Sequence, residues 1–182
     1  MAAQAEREPE DARLAQVRLL ALDVDGVMTD GRISFGAEGP AGDRPSFDVQ
    51  DGIALRWMQE AGVTVAWISG RGSPAVTFRA RELGVPEVHL RVESKRETLR
   101  EIQERLAIPV EHTAAMGDDL PDIGLRLRSA FFAAPSNARP EIQERADLVT
   151  ANAGGRGAVR ELCERILRAQ GRWQSIVDAA GR

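Results

Sequence analysis

The sequence predicts a three-layer α/β fold with a mostly parallel central sheet and helices on both faces. Three observations predict it. Strand-length apolar runs alternate with helix-length amphipathic stretches, an order that implies right-handed crossovers between parallel strands. The first run, Val17 followed by Leu19, Leu20, Ala21 and Leu22, reads as a strand covered on both sides. It stops at Asp23-Val24-Asp25-Gly26, and open α/β sheets bind their ligands beyond the carboxyl ends of such strands.

The remaining elements follow from period and punctuation. Ile33 to Phe35 and Ser46 to Val49 flank a Gly- and Pro-bearing stretch, Gly36 to Pro45, and read as a hairpin flap. Asp51 is expected to cap a helix through Ala61 that stops at Gly62. Val63 to Ile68 is a second buried strand, ending at Ser69-Gly70-Arg71. Ser73 and Pro74 open a helix that runs to Leu83 before Gly84. Glu87 to Leu90 is a third strand. Ser94 and Glu97 form a capping-box pattern for a helix with Leu99, Ile102 and Leu106 on one stripe, up to about Ile108. Thr113 to Met116 is a fourth strand, ending at Gly117-Asp118-Asp119. A short helix around Pro121 to Leu127, a strand at Ala130 to Ala134, a stretch near Leu148 and Val149, and a last helix from Ala158 to Ala169 complete the order. Met1 to Arg13 is expected as a flexible tail and Arg172 to Arg182 as a second one, leaving a single domain over residues 14–171.

At 182 residues and 43% hydrophobic content the chain can bury one good core. A formal net charge of -4 argues against nucleic acid or an anionic membrane as a general partner. Neither a membrane span nor a targeting signal is read, so a cytoplasmic protein is expected. The one cysteine, Cys163, sits among Val159, Leu162 and Ile166 at helical spacing and reads as a packed core thiol. His89 and His112 have no partners in any motif and read as ordinary strand or loop residues.

Strand alternation sends Asp23 and Asp25 to one side and Val24 to the other. Two like charges in one small volume call for a cation or a shared proton. Lys95 is the only lysine among 24 Lys and Arg residues. An ammonium is a compact point charge, whereas a guanidinium is a rigid fork. Lys95 lies in a first helical turn, where the dipole disfavours a cation; an ammonium beside a helix N-terminus makes a phosphate cradle. Every candidate thus falls at a strand end or a helix start: Asp23 and Asp25, Ser69, Lys95 and Asp118. Carboxylates at Asp23 and Asp118 suit a hard cation such as Mg²⁺, and the hydroxyl of Ser69 with the ammonium of Lys95 suits phosphoryl oxygens. Together they describe phosphoryl transfer to a carboxylate nucleophile.

Asp23-Val24-Asp25-Gly26-Val27, Ser69-Gly70-Arg71, Lys95 and Gly117-Asp118-Asp119-Leu120-Pro121-Asp122 resemble, in order and spacing, the four motifs of the haloacid dehalogenase superfamily of phosphatases. That resemblance implies a Rossmann-like core. A closer one covers the chain from about Arg18 to Gly171 and rests on Thr29-Asp30-Gly31, on Phe47-Asp48-Val49-Gln50-Asp51-Gly52 and on Gly154-Gly155-Arg156-Gly157-Ala158-Val159-Arg160-Glu161. These segments resemble the 3-deoxy-D-manno-octulosonate 8-phosphate (KDO 8-phosphate) phosphatase family. The resemblance implies a small, capless, Mg²⁺-dependent homotetramer acting in KDO and lipopolysaccharide biosynthesis. No insertion between the motifs is long enough for a cap domain.

Position by position, the resemblance makes Asp23 the nucleophile that forms an aspartyl-phosphate and Asp25 the general acid and base. The carboxylates of Asp23 and Asp118, with the backbone carbonyl of Asp25, would hold the metal. Ser69 and Lys95 would bind the phosphoryl group, while Asp119 and Asp122 would orient ligands or Lys95. The implied substrate contacts are Asp25, Asp48, Val49, Gln50, Asp51, Gly52, Arg56, Gly70, Arg71, Arg79 and Lys95, forked guanidinium groups being suited to a sugar-acid carboxylate. Arg156 would reach the active-site region between subunits. Where the family shows Asn-Val-Arg-Asp-Gly, this chain has Asp48-Val49-Gln50-Asp51-Gly52, losing a positive charge and gaining a negative one. The flap is expected to pack on a neighbouring subunit and close the open site. Two other readings remain: a sibling phosphatase of 2-keto-3-deoxynononate 9-phosphate or N-acylneuraminate 9-phosphate, against which Arg71 and Arg156 count; and a catalytically silent regulatory or oligomerisation module of the sugar cytidylyltransferase type, against which the intact set Asp23, Asp25, Ser69, Lys95 and Asp118 counts.

Overall fold

The structure, a computed structural model, describes residues 9–37 and 39–181. Six parallel strands form the central sheet: β1 (Leu19–Leu22), β4 (Thr64–Ser69), β5 (Glu87–Leu90), β6 (Thr113–Met116), β7 (Phe131–Ala134) and β8 (Leu148–Val149), in the order β5-β4-β1-β6-β7-β8. The two remaining strands, β2 (Phe35–Gly36) and β3 (Gly39–Asp43), pair antiparallel as a separate flap.

Alternation along β1 explains the three layers. Leu20 and Leu22 point into a core shared with Leu55, Met58, Val159, Leu162, Cys163 and Ile166, supplied by helices α2 (Val49–Glu60) and α7 (Ala158–Ala169). Leu19 and Ala21 point the other way, towards Leu99, Ile102, Leu125 and Ile142 of α4 (Lys95–Leu106), α5 (Ile123–Arg126) and α6 (Pro140–Gln143). All four β1 residues are fully buried, so truncating Leu20 or Leu22 to alanine would cost about 2–5 kcal/mol. Cys163 is a core thiol, and burial pushes its pKa up, away from reactivity.

Four expectations are corrected. The flap strands lie at Phe35–Gly36 and Gly39–Asp43, not on limbs at Ile33 to Phe35 and Ser46 to Val49. Pro45 supplies no N–H for a ladder, and Asp48 already begins a helix. The cap of α2 is Asp48, whose Oδ1 accepts the Gln50 N–H at 2.6 Å, rather than Asp51, which is fully buried. Residues 1–8 of the expected N-terminal tail lie outside the described residues, but its end forms α1 (Glu10–Ala15). There Leu14 is buried and Arg13 Nη1 donates to Asp147 Oδ1 at 3.0 Å and to Ala130 O at 2.8 Å. The expected C-terminal tail forms α8 (Trp173–Ala180), held because the Arg160 guanidinium lies 4.4 Å from the Trp57 ring and 5.3 Å from the Trp173 ring. The last helix to be named, α3 (Pro74–Glu82), starts as read, with Ser73 Oγ accepting the Val76 N–H.

Candidate active site

The register of β1 builds the site. Leu22 pairs with Trp67 of β4 on one side and Met116 of β6 on the other. The next residue, Asp23, therefore stands between the ends of both neighbours, its N–H donating to Met116 O at 3.1 Å. The chain leaves β1 in one direction for β4 and returns to its other side with β6, which makes this rim the switch point where open sheets form crevices. Asp23, Asp25, Ser69, Gly70, Arg71, Lys95, Asp118, Asp119 and Asp122 line one open cavity of about 370 Å³ here, with Gly31, Ile33 and Pro121.

Lys95 is the hinge of the charge arrangement. Its Nζ lies 2.6 Å from Asp23 Oδ1 and 2.5 Å from Asp122 Oδ1, with all three side chains buried. Burial opposes its charge, but Asp23 and Asp122 outweigh burial and raise the lysine pKa. Asp122 Oδ2 also accepts the N–H groups of Asp118 at 2.9 Å and Asp119 at 3.2 Å. One carboxylate thereby orients both the lysine and the loop that carries Asp118. Only glycine fits at 117, since a Cβ there would stand 2.2 Å from Asp122 Cβ. Asp119 turns outward and caps a short 3-10 turn, Leu120–Asp122, by accepting the Leu120 N–H at 2.8 Å.

Asp118 supplies the fit to a metal ion. Its Oδ1 is buried with no hydrogen-bond partner, and single carboxylate oxygens of Asp23, Asp118 and Asp122 lie within 4.8 Å of one another. Burial, then repulsion from Asp122, pushes Asp118 up to about 6 against the pull of Asp23 and Lys95. The same two causes hold Asp23 well above the usual carboxylate range, against Lys95. A hard cation relieves such crowding. Both oxygens of Asp122 are already engaged, so Asp23 and Asp118 are the carboxylates suited to ligate and Asp122 the one suited to support them. Gly26 at φ +98° keeps the approach open, because a Cβ there would lie 2.2 Å from Asp118 Oδ2.

Asp25 faces the opposite wall. Ser69 Oγ donates to its Oδ2 at 3.2 Å and accepts the Arg71 N–H at 3.0 Å. Arg71 forks between Asp25 Oδ1 at 3.3 Å and Asp43 Oδ2 of the flap at 3.5 Å. Thr29 steadies the turn after Asp25: its Oγ1 accepts the N–H groups of Gly26 at 3.3 Å and Gly31 at 3.2 Å.

Other candidates find different partners. Arg56 Nη2 donates to Glu82 O at 3.1 Å, and Arg79 Nη1 pairs with Glu82 Oε2 at 2.7 Å. Arg56 therefore ties α2 to α3, whereas the Arg79–Glu82 pair lies within α3, and neither arginine lines the acidic cavity. Arg79 also fills the space beside Gly52, where an added Cβ would meet its Nη2 at 2.4 Å. Asp51 is fully buried, accepts the backbone N–H groups of Gly157 and Arg160, and does not line the acidic cavity. Asp48, Val49, Gln50 and Arg156 line a second groove, of about 410 Å³, together with Asp30, Ser46, Phe47 and Gly155. Within one chain this groove is separate from the acidic cavity. Asp43 and Asn137 escaped sequence reasoning: Asp43 ends a flap strand and Asn137 lies between β7 and α6, and the partners of both are distant in sequence.

A parallel sheet whose switch point gathers a buried aspartate, a second aspartate two residues on, a lysine and a carboxylate with one unpartnered oxygen defines a haloacid dehalogenase-like hydrolase. A family of that description matches residues 91–162. KdsC of Escherichia coli, a 3-deoxy-D-manno-octulosonate 8-phosphate phosphatase, is 39% identical over 161 residues, covering 88% of this chain and 85% of that one. The Salmonella typhi KdsC is 40% identical over 156 residues, 86% of this chain and 82% of that one. The crystal structure of the Moraxella catarrhalis phosphatase, in complex with magnesium, phosphate and KDO, superimposes with a TM-score of 0.89 at 34% identity, over 93% of this chain and 96% of that one. The cobalt-bound Haemophilus influenzae enzyme gives 0.87 at 31% identity, over 93% and 98%. The chain belongs to the KDO 8-phosphate phosphatase family.

Proposed function

We propose that this chain is a magnesium-dependent phosphatase that hydrolyses KDO 8-phosphate through an aspartyl-phosphate on Asp23. One observation carries the reading: Lys95 bridges Asp23 and Asp122 beside the orphaned oxygen of Asp118, in a chain 39% identical to KdsC. Magnesium, held by Asp23, Asp118 and the Asp25 carbonyl, would neutralise phosphoryl charge and so let one anion approach another.

The residues then divide the work. An Asp23 oxygen attacks phosphorus and the bond to the sugar oxygen breaks, while a protonated Asp25 gives that oxygen its proton. Asp25 next takes a proton from water, which attacks the phosphoaspartate and returns Asp23 with inorganic phosphate. Lys95, held charged, offsets phosphoryl charge, and Ser69 offers a hydroxyl from the Asp25 side. Arg71 is placed to receive the sugar-acid carboxylate. Asp48 to Gln50 and Arg156 are assigned to substrate contact only across a subunit boundary, because their groove stands apart in one chain. A homotetramer is part of the proposal, with exposed Phe35, Val49 and Phe78 available to neighbouring subunits. Among the described residues no helix is long and apolar enough to cross a membrane, and a cytoplasmic location accords with that. The proposed catalytic unit is a single domain whose packing extends beyond residues 14–171 at both ends, to α1 and α8.

The test is phosphate release from KDO 8-phosphate, a nine-carbon 9-phosphate and an aryl phosphate, each with Mg²⁺ and with chelator. Preference for the eight-carbon acid, abolished by chelation, is expected. Equal release from all three, or release indifferent to chelation, would sink the reading.

A further inference from the structure

We propose that Asn137 is a positioning residue for the Asp25-Gly26 turn and so for the metal-holding face of the cavity, an inference that rests on the metal-dependent reading above. Asn137 lies between β7 and α6, far from the motifs in sequence. Its Nδ2 donates to Gly26 O at 3.1 Å, and its Oδ1 accepts the Gly154 N–H at 2.6 Å. Only one orientation of the amide satisfies both, so the side chain is locked between two loops.

Gly26 is thereby tied on both sides. The peptide before it, which carries the Asp25 carbonyl, is fixed by the Gly26 N–H to Thr29 Oγ1. The peptide after it is fixed by Asn137. Two residues further along the Asn137 loop, the Arg139 N–H donates to Asp118 O at 2.8 Å. One short loop therefore holds the backbone on both sides of the cavity, at Gly26 and at Asp118.

No slack is left for error. A Cβ on Gly154 would stand 1.8 Å from Gly26 O, and one on Gly26 would stand 2.2 Å from Asp118 Oδ2. Where backbones are packed this closely, a displacement of Gly26 passes directly to the carboxylates. A residue that merely stabilised the loop would lower melting temperature without touching metal affinity. A positioning residue moves both metal affinity and turnover.

The experiment compares Asn137→Ala, which removes both bonds, with Asn137→Asp, which keeps an acceptor for Gly154 and turns an oxygen against Gly26 O. Asn152→Ala is the control; it removes the Asn152 Nδ2 bond to Glu161 Oε2 near the same glycine loop and leaves Gly26 alone. Expected for both Asn137 variants is a roughly tenfold weaker Mg²⁺ affinity by titration calorimetry. A roughly tenfold lower kcat at saturating Mg²⁺ is also expected, with KM within about twofold. Asn152→Ala is expected to match the unaltered chain in both. Asn137→Asp with unaltered Mg²⁺ affinity and kcat would overturn the proposal, as would Asn152→Ala weakening Mg²⁺ as much as Asn137→Ala. Should Asn137→Ala not fold, Asn137→Asp decides. Should the unaltered chain release no phosphate, the phosphatase reading fails by itself and calorimetry still judges the clamp.

Discussion

The carboxylate of Asp51 caps a helix that begins more than a hundred residues later: Arg160 donates its backbone N–H to Asp51 Oδ1 at 2.7 Å, and Gly157 donates to Oδ2 at 3.2 Å. The cap residue of α7 is a glycine without a side-chain acceptor, so Asp51 answers its open amides and favours its dipole.

Burial nevertheless pushes Asp51 up to about 6, the backbone N–H groups of Arg160 and Gly157 pulling only partly against it. The unfolded chain loses this proton near the ordinary value of 3.8 while the folded chain keeps it to about 6. Stability contributed by the neutral group is thus complete below pH 3.8 and declines as pH rises through 6, by roughly 3 kcal/mol in all. Asp51→Asn lacks that titration. Denaturant unfolding of both proteins from pH 4 to pH 7 is expected to show the stability difference narrowing or reversing by that amount in disfavour of the unaltered chain; parallel curves would refute it.

Replacing Asp23 with Asn would delete the proposed nucleophile at constant shape. Phosphate release is expected to fall at least a thousandfold, with the circular dichroism spectrum unchanged. A variant keeping most of its rate would show that another group attacks.

Lys95→Met leaves Asp23 and Asp122 buried without their shared cation. A loss of about 3 kcal/mol in stability and at least a hundredfold in turnover is expected. Lys95→Arg is not expected to restore turnover, because a planar fork cannot stand between two oxygens at 2.5 and 2.6 Å.

Gly154→Ala and Gly62→Ala separate two uses of glycine. The first places a Cβ on Gly26 O and is expected to cost about 3 kcal/mol and the activity. The second meets nothing within 4 Å and has only its φ of +84° against it, so about 1 kcal/mol is expected with activity retained. Thermal and denaturant unfolding check both.

Saturating Mg²⁺ is expected to raise the melting temperature by roughly 5–10 °C at a hundred times its dissociation constant. Asp118→Asn, which exchanges the orphaned oxygen for an amide, is expected to abolish most of that rise in a calorimetric scan.

Much of this architecture was written in local signals. β5, β6, β8 and α7 fall where runs of apolar residues meet Gly, Pro, Asp or Ser, and punctuation of that kind is visible without a partner. α1 and α8 were not legible because both are short and neither opens on a side-chain cap; Leu14 and Trp173 acquire meaning only against elements distant in sequence. The choice between Asp48 and Asp51 as cap failed for the same reason, both being aspartates at a helix start and only one having α7 above it. In the cavity, Asp23, Asp25, Ser69, Lys95 and Asp118 announced themselves by standing at element ends. Asn137 and Asp43 are joined to the cavity by contacts that no spacing encodes.

The strand order carries a consequence for how the chain is made. β1, the first sheet strand synthesised, is the one strand whose two neighbours are β4 and β6, so its four buried residues wait for Thr113–Met116 before both edges are covered. Asp118 follows immediately after. The nascent chain therefore completes its sheet centre and brings Asp118 beside Asp23 in nearly the same moment, and a chain halted before that point presents a sticky strand with one edge uncovered.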